Sequence, residues 1–432
     1  VTERAKIKRQ KSKSKNTSAG PLSFLPFAFC LLICAGFQAL AAQALSWKGF
    51  LDSRLTLFPQ DAPNDRAHAW GAWRLRVEPT WKPRPWLKFD ASLDARADTH
   101  RQYERSWRLD GEDRRLRGPA FSVRRLSATV HRGQWTAEFG RQFIRWGKAD
   151  ILNPTDRFAP RDYLAVVDND FLAVTAARLT WESGPDTVDL VYAPRFTPSR
   201  TPLLNQRWTV LPPEAAGIAI VDRGAVYPGG GQYGIRWNHL GGGYEYSLSY
   251  YDGFHHLPLI DARLTLGPAR AELTRFYPKR RVTGLDIAVP LRWFTAKGEA
   301  AYLKSPHPLA DEFFQYVVQV ERLIGEWSLV GGYAGEALTE RRSLLEFSPD
   351  RGFTKAFLGR AGYTIDANRS LAVELAARQN GAGSWARFEY SQALGQHWRA
   401  TGGFTWIRGR ADDFLGQYRR NSHFTLVLRY SF

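Results

Sequence analysis

The chain closes on His423-Phe424-Thr425-Leu426-Val427-Leu428-Arg429-Tyr430-Ser431-Phe432. Phe424, Leu426, Leu428, Tyr430 and Phe432 fall on one face of an extended chain, and Thr425, Val427, Arg429 and Ser431 fall on the other. Successive strand side chains point to opposite faces, so this period of two predicts a strand with one fully apolar face. The pattern recurs upstream. Tyr244, Tyr246, Leu248 and Tyr250 oppose Glu245, Ser247 and Ser249; Phe314, Tyr316, Val318 and Val320 oppose Gln315, Val317, Gln319 and Glu321. Residues 370–378 and 396–406 repeat it, and similar segments lie near 47–57, 68–79, 86–96, 120–131, 134–142, 172–182, 186–193, 231–240, 259–266, 269–277, 281–289, 294–303, 326–334, 353–363 and 384–391. The spacing predicts about 20 strands (18–22), each about long enough to cross a bilayer at a tilt.

The connections sort by length. Tight turns are predicted at His131-Arg132-Gly133-Gln134, Glu182-Ser183-Gly184-Pro185, Leu240-Gly241-Gly242-Gly243, Leu266-Gly267-Pro268-Ala269 and Leu394-Gly395-Gln396-His397. Longer polar loops fall at 58–67, 97–119, 143–171, 194–230, 304–313, 335–352 and 409–421. Alternation of short and long connections is required of an all-β, transmembrane, antiparallel up-and-down β-barrel with short periplasmic turns and long outer loops. Composition agrees. Sixteen Trp and 17 Tyr suit interfacial girdles. A mean hydropathy of −0.38 rules out a helical membrane protein, yet fits a barrel whose apolar residues alternate with polar ones. The polar face carries both signs. Arg54, Arg74, Arg76, Lys88, Arg125, Arg236, Arg270, Arg378, Arg387, Arg399 and Arg429 stand against Asp52, Glu78, Asp90, Asp94, Glu138, Asp189, Glu245, Glu272, Asp286, Glu321, Glu374 and Glu389. Such charges can pair across strands and line water, or set up a transverse field that orients solutes.

Residues 1–44 read as an export signal. Arg4, Lys6, Lys8, Arg9, Lys11, Lys13 and Lys15 precede an apolar run from Leu22 to Ala42, and Ala42-Gln43-Ala44 supplies small residues at cleavage spacing. The mature barrel is expected to span 45–432. Both cysteines, Cys30 and Cys34, lie in the apolar run, so the remainder has no disulfide and no Cys-based metal site. The net charge is +18; seven basic residues and one acid (Glu3) leave with 1–44, so +12 remains. That excess suits anionic lipid at the rim or anionic solutes in the lumen. It does not suit nucleic acid, because the charges alternate along strands and form no separate basic face.

One stretch stands apart: Gly140-Arg141-Gln142-Phe143-Ile144-Arg145-Trp146-Gly147-Lys148-Ala149-Asp150-Ile151-Leu152-Asn153-Pro154-Thr155-Asp156-Arg157-Phe158-Ala159-Pro160-Arg161-Asp162-Tyr163-Leu164. Its turn formers predict an ordered loop after the fifth strand. Trp146, Gly147, Asp150, Asn153, Pro154, Asp156 and Asp162 are read as structuring the loop, and Arg157, Arg161 and Lys148 as solute contacts. Residues 143–171 are predicted to turn inward. Two roles are open: a solute constriction, or a staple that closes the barrel mouth.

Two resemblances add to this. The terminal Phe432, with Tyr430 and Leu428 on its face, resembles the final-strand signal that barrel-assembly machinery reads. Residues 140–163 resemble a Trp-Gly-x-Ala-Asp…Asn-Pro-x-Asp…Pro-Arg-Asp-Tyr motif of a poorly characterised proteobacterial family of porin-like outer-membrane proteins. The resemblance implies an outer-membrane location in a Gram-negative cell, contact with lipid and lipopolysaccharide, and a porin-like channel for small solutes. Porins fold a constriction loop inward at the place where 143–171 falls. Two other classes are weighed. A wide barrel can sheathe a periplasmic multihaem partner, which would bring every haem because the chain has no Cys-x-x-Cys-His. A barrel hydrolase would draw on His255-His256 near Asp252 and Asp261, but no Ser has a nucleophile's context, so no enzyme, cofactor or metal is expected. Gly229-Gly230-Gly231 and Gly241-Gly242-Gly243 belong to a loop and a turn, not to a phosphate-binding helix start.

Overall fold

The structure is a computed structural model that describes residues 45–432 except 151, 212–216, 267–268 and 343–347. The expected signal peptide lies outside the described residues, as does the Gly267-Pro268 turn. The main sheet has 19 strands, one of them the two-residue Leu109–Asp110. The other eighteen form a closed barrel: β1 (Leu45–Leu57), β2 (Ala69–Arg84), β3 (Leu87–Asp98), β4 (Phe121–Arg132), β5 (Trp135–Gln142), β6 (Val174–Ser183), β7 (Asp186–Ala193), β8 (Gln232–Gly241), β9 (Tyr244–Phe254), β10 (Lys279–Pro290), β11 (Thr295–Lys304), β12 (Glu312–Ile324), β13 (Trp327–Glu340), β14 (Ala356–Thr364), β15 (Arg369–Arg378), β16 (Gly383–Leu394), β17 (Trp398–Gly409) and β18 (His423–Ser431).

Each strand pairs with its neighbour in sequence, and β18 closes on β1 in antiparallel register from Phe50↔Ser431 to Leu57↔Phe424. Reciprocal backbone bonds between Gly49 and Phe432, 2.9 and 3.0 Å, finish the seam. A Cβ at Gly49 would strike the Arg76 backbone carbonyl at 2.5 Å and the Phe432 ring at 2.6 Å, so glycine suits this place in the seam. On the inner side Asp52 of β1 accepts from Arg429 of β18 at 2.6 Å and from Arg74 of β2 at 2.7 Å, binding three strands across the closure.

The count of eighteen lies at the low end of the predicted range, and the reason is specific. Leu259–Leu266 and Ala269–Phe276 do form strands, but they pair with each other and, through the second, in parallel with Ala219–Val226. This separate three-stranded sheet belongs to the connections at the long-loop end. Arg270 and Glu272 therefore do not face the lumen; they pair at 3.2 Å within that sheet, where Arg223 also holds Glu272. Period-two alternation reports a two-faced sheet and does not say which one.

The outer face is apolar and exposed at Leu248, Tyr250, Phe314, Val318, Leu375, Phe388, Leu426 and many equivalents. Trp47, Trp81, Trp86, Trp135, Trp293, Trp327 and Trp398 are exposed and all sit at the short-turn end, in the place of an aromatic girdle. The inner face is polar, and its charges pair: Arg76 and Arg96 with Asp94 (2.6 and 2.7 Å), Arg125 with Glu138 (2.9 Å) and Arg178 with Asp189 (2.6 Å).

Candidate functional site

The lumen is occupied by the chain's own loops. After β5 ends at Gln142, residues 143–173 run along the polar side of β8–β12. The side chains they meet there, Asp286, Glu299, Gln315 and Gln319, are buried, while the alternating Leu285, Phe314, Tyr316 and Val318 are exposed on the outside. The segment is therefore inside the barrel.

Its attachment starts from two glycines. Trp146 and Phe158 meet edge to face at 5.4 Å and seat where a Gly234 Cβ would be, at 2.6 and 2.5 Å. Gly147 takes φ +94°, and a Cβ there would strike Glu299 Oε1 at 2.6 Å. That conformation belongs to glycine. It allows the chain to wrap the Glu299 carboxylate, which accepts from Lys148 N (3.0 Å), Ala149 N (3.1 Å), Thr155 N (2.8 Å) and Thr155 Oγ1 (2.8 Å). Asp150 N donates to Gln319 Oε1 at 2.9 Å, and Lys297 Nζ reaches the Asp150 carboxylate at 2.8 Å. Asn153 Nδ2 donates to Ala149 O, and Arg145 Nε donates to Asp156 at 2.6 Å beside Pro154-Thr155. Burial raises the Asp156 carboxyl against the pull of Arg145 and Arg161.

The segment then crosses to the other wall. Asp168 pairs with Arg54 of β1 (2.5 Å) and Arg387 of β16 (3.6 Å), and Asp170 pairs with Arg124 of β4 (2.9 Å). Burial works against the Asp168 charge, but Arg54 and Arg387 outweigh it and hold the carboxyl at about 2. A second loop locks the first. Arg200 bonds Asp162 at 2.5 Å and also Asp113, which in turn pairs with Arg141 at the end of β5; all four are buried. Further along, the buried Arg207 lies over Phe58 at 3.6 Å and donates to Ala67 O at 2.7 Å, so residues 194–211 pack toward β1 and β2.

Between the 150–169 segment and β9–β16 a cavity of about 320 Å3 remains. The loop contributes Arg157, Arg161 and Tyr163; the wall contributes Tyr251, Arg280 and Gln315. Arg157 donates to Pro154 O (2.6 Å) and Gln315 Oε1 (3.1 Å), and Arg161 to Asn169 Oδ1 (2.8 Å) while lying 4.1 Å over Phe171. Neither forms a carboxylate ion pair of 4 Å or less with a described residue. Lys148 is elsewhere: its ammonium is enclosed by Glu245 (3.2 Å), Asp286 (3.0 Å), Asn238 (3.1 Å) and Ser247 (3.2 Å) and does not line the cavity. The structure thus brings Arg157 and Arg161 together and sets Lys148 apart as a strut.

Sequence reasoning missed Arg280, Asp350 and Glu299. The carboxylate partner of His255 is Asp350, 2.9 Å from Nε2, and not Asp252 or Asp261. Burial lowers the His255 pKa, and Asp350 lies well below the ordinary carboxylate range because His255, Ser348 and Arg280 outweigh its burial. His256 lies between Thr197 O (2.7 Å) and Arg157 O (3.0 Å); burial lowers its pKa to about 4, so the neutral ring donates to one of these carbonyls.

No family model and no curated protein matches the chain. Solved structures do. OccAB4 of Acinetobacter baumannii superposes with a TM-score of 0.55 at 10% identity, covering 90% of this chain and 99% of that one. A mutant of the Rh. blastica porin gives 0.42 at 9% identity over 90% of this chain and 100% of its own. OmpT, an outer membrane protein of Vibrio cholerae, gives 0.40 at 10% identity over 90% and 99%. The chain has a porin-like, closed up-and-down β-barrel fold.

Proposed function

We propose that the chain is an outer-membrane channel for passive passage of small anionic solutes, a member of the porin-like family its 140–163 motif resembles. The observation that carries this is the pair Arg157 and Arg161, held on an ordered inward segment and facing the remaining lumen space without a carboxylate ion pair among the described residues. Wall charges such as Arg76, Arg125 and Arg178 are paired with acids, so these two guanidiniums, with Arg280 of the wall, bias the local sign. The exposed apolar belt and tryptophan ring suit lipid and lipopolysaccharide around the barrel. Export through the periplasm after loss of 1–44, and recognition of Phe432, Tyr430 and Leu428 by the assembly machinery, complete the reading. A sheath for a haem-carrying partner is disfavoured, because loops 143–173 and 194–211 already occupy the interior and the cavity of about 320 Å3 is far too small for a folded domain.

Purified protein in planar bilayers tests this. Discrete conductance steps are expected, with reversal potentials that favour anions in dilute salt. The preference should fade as salt rises, since screening acts over about 10 Å at 0.1 M. A cation preference would reject the solute class, and the absence of any conductance would reject the channel.

A further inference from the structure

The interior holds a cationic group that the fold itself leaves unused. Arg280 of β10 lines the cavity, is 4% exposed, and leaves Nε and Nη1 without a hydrogen-bond partner among the described residues. Its guanidinium carbon lies 5.6 Å from the centre of the Phe313 ring, and its charge acts on Asp350. A buried guanidinium with open donors is costly, and such a group is normally matched by an anion or polar acceptor. Beside it stands Arg157, anchored through Gln315, whose Nε2 also donates to Asp350 O at 3.4 Å. The Nδ1 of His255 is likewise buried and unpartnered.

Charge gives the sign of the missing partner. Arg157 and Arg280 supply two positive charges. The Asp350 carboxylate, bonded to His255 and Ser348, supplies one negative. The two guanidiniums outnumber this carboxylate, which calls for an anionic group; Arg161, also on the cavity, lies over Phe171 and donates to Asn169. The neighbouring Arg351 is engaged by Glu336 (2.6 Å) and Asp311 (2.8 Å). Arg360 and Arg387 on the same cavity also have acids, Glu374 at 3.5 Å and Asp168 at 3.6 Å. The same cavity is lined by Phe353, Leu358, Ala376 and Trp385, which offer apolar contact instead of further donors. Its volume of about 320 Å3 is at the lower end for small-molecule pockets, which run about 300–1,000 Å3.

We infer that Arg280 and Arg157 form a binding subsite for the carboxylate of a small organic anion whose apolar part rests on Phe353, Leu358 and Trp385. A carboxylate can take parallel donors from a guanidinium fork, the strong geometry for this pairing. The subsite deepens the channel reading and rests on it for the ligand's way in.

Benzoate is a suitable probe, with inorganic phosphate and benzylamine as comparisons. In planar bilayers benzoate should block the potassium chloride current saturably, and calorimetry on the detergent-purified full chain should show one saturable site. Phosphate should compete weakly and benzylamine not at all. Arg280→Gln should weaken benzoate binding about ten-fold or more, as expected for loss of a charge-assisted pair. Arg157→Gln, on the loop and clear of the barrel ladder, should do the same and covers the case in which the strand variant fails to assemble. A channel that conducts but shows no saturable benzoate effect overturns the subsite and leaves the channel standing. Saturable binding without conductance does the reverse. Tighter binding of phosphate than benzoate, or wild-type benzoate binding in Arg157→Gln, also overturns it.

Discussion

At the scale of single residues, the inward segment depends on one carboxylate. Glu299 accepts four hydrogen bonds from Lys148, Ala149 and Thr155, and three of the donors are backbone amides with no other acceptor among the described residues. Each buried donor left unpaired costs about 1–3 kcal/mol, so Glu299→Ala should loosen the segment by at least about 3 kcal/mol. Limited proteolysis is expected to cut within 143–173 in this variant while unboiled protein still migrates as a folded barrel. A cut pattern like that of the unmodified protein would assign the anchoring to other contacts. The far attachment is ionic and has its own pH signature. The Asp168 carboxyl lies at about 2, below its ordinary value near 3.8, because Arg54 and Arg387 outweigh burial. A depressed carboxyl contributes stability that is fully present above its unfolded pKa and lost as pH falls through the folded one. Protease resistance of residues 165–171 should therefore hold from pH 7 to pH 4 and fall only as pH approaches 2, whereas Asp168→Asn should lose it at neutral pH. Arg157 and Arg161 could be found in the sequence because they sit among turn formers in one continuous loop. Arg280 could not: Lys279-Arg280-Arg281 offers three adjacent cations, and only the strand register says that the middle one faces inward. Lys148 failed as a solute contact for a similar reason, since its four partners come from β8, β9 and β10, 90 and more residues away.

At the scale of elements, alternation and turn chemistry were enough for each barrel strand to be located, because each strand is half exposed to an apolar surround and half to polar contents. They were not enough to assign membership. The strands Leu259–Leu266 and Ala269–Phe276 have the same pattern, and their exclusion follows from pairing with Ala219–Val226, about 50 residues upstream of its partner residues, which no local signal announces. The last strand is where local pattern and tertiary role coincide. Phe432 packs on Trp47 at 5.6 Å and Tyr430 on Trp398 at 5.0 Å, so the terminal aromatics join β18 to both neighbours. Aromatic pairs contribute about 0.5–1.5 kcal/mol each beyond their buried area. Replacing Tyr430 and Phe432 together with Ser should weaken the closing seam by about 1–3 kcal/mol and lower the amount of barrel in the outer membrane. Immunoblots of outer-membrane fractions measure the second effect and loss of heat-modifiable migration the first. Unchanged levels with normal migration would remove the assembly role from these residues.

At the scale of the whole molecule, the wall and its contents can be separated. The barrel is held by a continuous backbone ladder from β1 to β18 and back, with ion pairs such as Arg429–Asp52–Arg74 across its seam. The segment 143–173 adds side-chain and amide contacts to that wall but contributes no strand to it. If 148–161 were replaced by a short glycine–serine linker, Glu299 and Asp286 would lose loop partners, but both would then face lumen water. Hydration offsets much of the cost of an unpaired carboxylate, which a dry interior would not. The ladder should survive, and single-channel conductance should rise because a filled part of the lumen is opened. The sign of selectivity should change as well. The replacement removes Arg157 and Arg161, and it frees Glu299, Asp286 and Glu245 from Lys148 and the loop amides. The anion preference expected of the intact chain should therefore vanish or reverse in reversal-potential measurements at low salt. Higher conductance with unchanged selectivity would mean that the segment is an obstruction and that the wall sets the sign. Collapse of folded yield, with the few assembled channels conducting as before, would mean that the segment is a staple and that solutes pass elsewhere.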